Sequence, residues 1–112
     1  MTKILQLITT TLIILSSTSV FSQTDSLSAS DYIAKAKNAT NLSLNDLAIK
    51  YYQSAIDANP MGAEAYFELG CLYTKMEHYA QAVSNFNYTL EINPNHAAAH
   101  ERLAYIYTEN EQ

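Results

Sequence analysis

YFELGCLYTKMEHYAQAVSNFNYTLEINP, residues Tyr66 to Pro94, decides the fold of this chain. Its first part sets Tyr66, Leu69, Gly70 and Tyr73 at i, i+3, i+4 and i+7, one stripe of a helix. Its second part sets Ala82, Phe86, Thr89 and Leu90 on the facing stripe of another helix. Gly70, Ala82 and Thr89 are small, so the two backbones can approach closely while aromatic rings fill the space beside them. Asn93-Pro94 closes the second helix: proline disfavours helical geometry in the residue before it and cannot continue the hydrogen-bond ladder.

The same phrase is spelled earlier. YYQSAIDANP at Tyr51–Pro60 becomes NFNYTLEINP at Asn85–Pro94, displaced by 34 residues. On that period Ala48 falls on Ala82, Tyr52 on Phe86, Ile56 on Leu90 and Pro60 on Pro94. A second series shares it: Tyr66 falls on His100, Leu69 on Leu103, Gly70 on Ala104 and Tyr73 on Tyr107. Two independent series on one period make an internal repeat of helix pairs. With two glycines and two prolines in 112 residues, a turn-rich β domain is excluded and an all-α fold is expected.

The quoted stretch resembles a tetratricopeptide repeat, through Tyr66, Leu69, Gly70 and Tyr73 on the first helix and Ala82, Phe86, Thr89 and Pro94 on the second. The preceding unit matches through Tyr32, Ala36, Ala48, Tyr52, Ala55 and Pro60, with Lys35 and Ala39 where leucine and tyrosine are expected. A polar first helix of that kind suits a capping repeat. The resemblance implies a short α-solenoid: repeat 1 at 29–62, repeat 2 at 63–96 and a partial third at 97–112. Helices are expected near 29–42, 45–58, 63–76, 79–92 and 97–109.

Ahead of the repeats stands a leader-like segment. Lys3 precedes the apolar run Ile4–Leu15, and Val20 and Ser22 stand at the third and first places before a plausible cut at Ser22/Gln23, the order of a secretory signal peptide over 1–22. The run is shorter than the roughly 20 apolar residues that span a bilayer. A short linker, 23–28, follows, and export to the periplasm or beyond the cell is expected, with no membrane attachment afterwards. Removing Lys3 takes six basic residues to five against eleven acidic ones, a net charge of −6. Such a surface repels phosphate backbones, which argues against nucleic acid as a partner.

Helical spacing, together with the resemblance, puts one further stripe of the first helices on a concave groove. It comprises Ile33, Lys37 and Thr40; then Glu64, Phe67, Cys71, Thr74 and Lys75; then Ala98, Glu101, Tyr105 and Thr108. Residues so placed can grip an extended peptide or a partner helix, with Phe67 and Tyr105 as aromatic anchors. The alternative is that they complete packing between repeats. Members of the family that hold a peptide's C-terminal carboxylate do so with lysine, asparagine and arginine in this groove. Here Ile33 and Glu68 stand at two of those places, Lys37 at an asparagine's and Ala98 at a lysine's; Arg102 alone matches. The expected function is a non-catalytic adaptor. Its rival is a self-associating module, because part of the Leu103, Ala104 and Tyr107 stripe, with Ile106 nearby, lacks a following helix to cover it.

Other signals are weaker. His96 and His100 have i, i+4 spacing, yet His96 falls at a turn and His100 at the aromatic core position, with no clear third metal ligand. Cys71 is the sole cysteine; it reads as a small apolar filler, or as a thiol able to link to a partner or a second copy. The nine tyrosines mostly fall on core positions of the repeat. Asn38, Asn41 and Asn87 open N-x-S/T triplets taken as coincidental. No cofactor loop, paired catalytic carboxylates or nucleophile–base arrangement stands out.

Overall fold

The computed structural model describes residues 26–110. The leader read at 1–22, and the start of the linker, lie outside them. Five helices follow in order: α1 Ala29–Asn41, α2 Asn45–Ala58, α3 Ala63–Lys75, α4 Tyr79–Ile92 and α5 Ala97–Asn110. They pair as antiparallel hairpins. The α1–α2 and α3–α4 hairpins pack most extensively, and α2–α3 and α4–α5 contacts stack one hairpin on the next. The described residues form an all-α solenoid of stacked helix hairpins.

Local sequence sets the helix ends. Ser28 caps α1 in a reciprocal capping box: its hydroxyl accepts from the Asp31 amide at 3.2 Å, and the Asp31 carboxylate accepts from the Ser28 amide at 3.0 Å. That arrangement, with the Ser28 hydroxyl also donating to it, holds the Asp31 carboxyl below its ordinary pKa. The turns inside the two hairpins are the same. Ser43 and Glu77, a repeat apart, both adopt the left-handed conformation at φ 59° and 61°. In each turn the following amide reaches back into the helix, Leu44 to the Ala39 carbonyl and His78 to the Tyr73 carbonyl. Asn59 (φ −146°, ψ 87°) and Asn93 (φ −130°, ψ 91°) end α2 and α4 outside helical geometry, as the prolines after them require.

Two core clusters divide the molecule. In the first, Ile33, Ala36 and Ala39 of α1 and Ala48, Tyr52 and Ala55 of α2 meet Ala65, Leu69 and Leu72 of α3. In the second, Ala82 and Phe86 of α4 meet Ala99, Leu103 and Ile106 of α5, with Phe67, Cys71 and Tyr73 partly buried against them. Tyr52 and Phe86 are repeat equivalents, and both are fully buried. The small residue opposite Phe86 is Gly70, where a Cβ would stand 2.7 Å from the Phe86 ring. Close backbone approach thus fixes the α3–α4 hairpin, as the small-residue pattern implied.

Several expectations need correction. Tyr52 is the one tyrosine among the nine that is fully buried; five are half-buried, and Tyr88, Tyr105 and Tyr107 are exposed. His100, expected at the aromatic core position, is exposed, and its Nε2 lies 2.9 Å from the Pro94 carbonyl oxygen. The face of α5 equivalent to the Tyr66–Gly70–Tyr73 stripe, namely His100, Ala104 and Tyr107, has no described helix over it. Instead, α5 is held by the Ala99, Leu103 and Ile106 face, so Ile106 is buried rather than water-facing.

Candidate functional site

The first helices of the units, α1, α3 and α5, carry the candidate groove in a regular ladder. Lys37, Cys71 and Tyr105 form one rung series at 34-residue intervals; Thr40, Thr74 and Thr108 form another. All three threonine hydroxyls turn back into their own helix. They donate to the carbonyls of Ala36, Gly70 and Ala104 at 2.9, 2.9 and 2.7 Å. With the hydroxyl satisfied internally, each threonine has chiefly its methyl to offer a ligand.

The charged residues are arranged across helices. Lys37 of α1 bridges to α3, its Nζ 2.9 Å from Glu64 Oε1 and 3.6 Å from Glu68 Oε1. The hydrogen bond to Glu64 raises the Lys37 pKa, partly opposed by desolvation and reinforced by Glu68. Both partners are solvated, so the pair positions side chains more than it stabilises the fold. Cys71 is half-buried, packed against the second core cluster. Burial pushes its thiol pKa up, while the positive charge of Arg102 on α5 opposes and Glu68 adds to the shift. A thiol kept protonated is a poor nucleophile.

The remaining groove residues divide into packed and open ones. Ile33 is 8% exposed and belongs to the first core cluster, so its expected role at the groove surface is corrected to packing. Phe67 is half-buried, with its ring 5.7 Å from that of Phe86 and 4.7 Å from that of His96. Its ring therefore joins the seam between α3, α4 and α5. Thr74 is half-buried, whereas Lys75, Glu101, Tyr105 and Thr108 are exposed. Tyr105, at 52% exposure, is the large aromatic that stands open on this ladder.

The histidine pair takes no shared partner. His96 Nδ1 accepts the Ala99 amide at 3.1 Å and so caps α5, which sequence reading missed because histidine is not among the usual capping residues. Among the described residues no group of three or more histidine, cysteine or acidic side chains is placed to hold a metal ion, and no helix is long and apolar enough to cross a membrane.

Comparisons with known proteins agree with this architecture. Two models described as the tetratricopeptide repeat match residues 33–75 and 63–96, together more than half of the chain. A protein SGT1 homologue of Oryza sativa subsp. japonica is 35% identical over 74 residues, which is 66% of this chain and 20% of that protein. Two crystal structures of MamA superpose with TM-scores of 0.73 at 26% identity. They cover 75% and 78% of this chain, and 49% and 48% of theirs. The chain thus spans less than two thirds of each relative. With its helix pairs, its 34-residue period and both repeat matches in agreement, the chain belongs to the tetratricopeptide repeat family of protein-interaction modules.

Proposed function

We propose that this protein is a non-catalytic adaptor that holds an extended peptide or a partner helix along the groove of α1, α3 and α5. The ladder on these three helices carries the reading. Threonine methyls recur at one interval, Tyr105 stands open beside them, and Lys37, Lys75, Glu101 and Arg102 supply polar contacts along the edges. A large, amphipathic ring beside small apolar groups suits a peptide backbone with alternating side chains. The acidic surface and leader-like 1–22 support a protein partner met after export rather than nucleic acid.

A second reading rests on the outer face of α5. Ala104 and Tyr107 are exposed, Tyr107 at 53%, whereas their equivalents Gly70 and Tyr73 are packed under α4. A second copy supplying a helix there would complete the unit. Capture experiments with the tagged chain separate the two readings. A ligand retained by wild type and lost with the Lys37→Ala/Tyr105→Ala double variant assigns the groove. Retention by that variant, with light scattering showing a dimer that Tyr107→Glu dissociates, assigns self-association instead.

A further inference from the structure

On the far side of α3 from the groove, the second helices of the two hairpins do not close upon each other. Between them lies an open cleft of about 450 Å³, with α2 and α4 as walls and α3 as floor. Its volume falls within the ordinary range for small-molecule sites. The chemistry of its lining sets it apart from the rest of the surface. Among the described residues, no charged side chain lines this cleft.

Three tyrosines and three amides define it. Tyr66 and Tyr73 rise from the floor, and Tyr88 leans from α4 so that its ring centroid is 5.4 Å from that of Tyr66, tilted by 36°. Tyr88 is half exposed, leaving much of its ring open to a ligand. Asn85 donates its amide to the Gln81 carbonyl at 2.8 Å, which anchors the side chain while its Oδ1 keeps acceptor capacity. Gln53 on the opposite wall and Gln81 are exposed, and neither side chain is hydrogen-bonded among the described residues. Each therefore offers a donor pair and an acceptor to an incoming group.

We infer that this cleft is a binding site for a neutral oligosaccharide. A sugar ring presents apolar C–H faces together with equatorial hydroxyls. Tyrosine rings match the first at low conformational cost, and glutamine and asparagine amides match the second by pairing a donor with an acceptor. Absence of charge disfavours anionic sugars, nucleotides and charged peptide segments, because no lining group compensates their desolvation. An open trough suits a chain of sugar units lying across the helices better than an enclosed single ring. The site is independent of the groove on α1, α3 and α5.

The sequence has no tryptophan, so emission comes from its nine tyrosines, three of which line the cleft, and a sugar-induced change that Tyr88→Ala removes is assigned to it. Titration of the full chain with cellotetraose and with chitotetraose, followed by fluorescence and by the side-chain amide resonances of the glutamines and asparagines, tests the assignment. Saturable changes centred on Gln53, Gln81 and Asn85 with one of these sugars are expected. Tyr88→Ala should weaken that binding at least about tenfold, Gln81→Ala should weaken it in the same direction, and Tyr105→Ala should leave it unchanged. Circular dichroism of each variant confirms folding. Absence of saturable change with both sugars at about 10 mM would overturn the proposal, since that is weaker than ordinary specific recognition. So would equal binding of anionic trigalacturonate, or binding that survives both Tyr88→Ala and Gln81→Ala.

Discussion

Gly70 and Phe86 meet where α3 and α4 cross: a Cβ built on Gly70 would lie 2.7 Å from Phe86 Cε1 and 2.9 Å from Cδ1. Phe86 is fully buried, so its ring has no solvent side to yield toward. Alanine normally gains about 1 kcal/mol over glycine in a helix interior. At this position the clash outweighs that gain, with overpacking costing roughly 1–3 kcal/mol. Gly70→Ala should therefore lower the thermal midpoint by several degrees, at roughly 4–8 °C per kcal/mol for a domain of this size. An unchanged or raised Tm would refute the close approach of these helices.

That contact was legible in the sequence because it depends on residue size at fixed helical offsets, and so was the stacking of helix pairs. Burial within the groove ladder was less legible. Ile33, Phe67 and Glu101 share one repeat position, yet the first is buried, the second half-buried and the third exposed. Neighbouring units create those differences, since the first core cluster draws in Ala65 of the next repeat beside Ile33. His100 and Tyr107 show the same limit at the other end. Their repeat position is a core position only where a following helix covers it. By contrast, the Ala99, Leu103 and Ile106 face follows i, i+4, i+7 spacing and could have been found by helical period alone. The cleft between α2 and α4 needed coordinates, because its lining comes from α2, α3 and α4 together.

The capping role of His96 gives a test that separates its two contacts. Its Nδ1 accepts the Ala99 amide, and its ring packs against that of Phe67, tilted by 39°. His96→Asn keeps a side-chain acceptor and loses the ring contact, whereas His96→Ala loses both. The difference between the two variants should be about 1 kcal/mol, the usual worth of a helix N-cap. Hydrogen exchange should locate it in the first turn of α5. Equal stability of the two variants would mean that the imidazole acts by packing alone.

Cys71 connects burial to pH. Because burial raises its pKa in the folded state, with Arg102 opposing and Glu68 reinforcing, the folded protein prefers the neutral thiol. Its contribution to stability is therefore fully present below the ordinary thiol range and is lost as pH rises through that range towards the raised folded value. Cys71→Ala should reduce the alkaline fall in stability. Tyr52, also raised chiefly by burial and in small part by Cys71 itself, adds its own loss at higher pH, so the two proteins are compared below the tyrosine range. The thiol itself should react with iodoacetamide more slowly in the folded chain than in urea at the same pH, for want of thiolate and access. Identical alkaline unfolding curves for wild type and Cys71→Ala, together with alkylation as fast folded as unfolded, would show that the Cys71 thiol is solvated and that the seam between α3 and α5 is open.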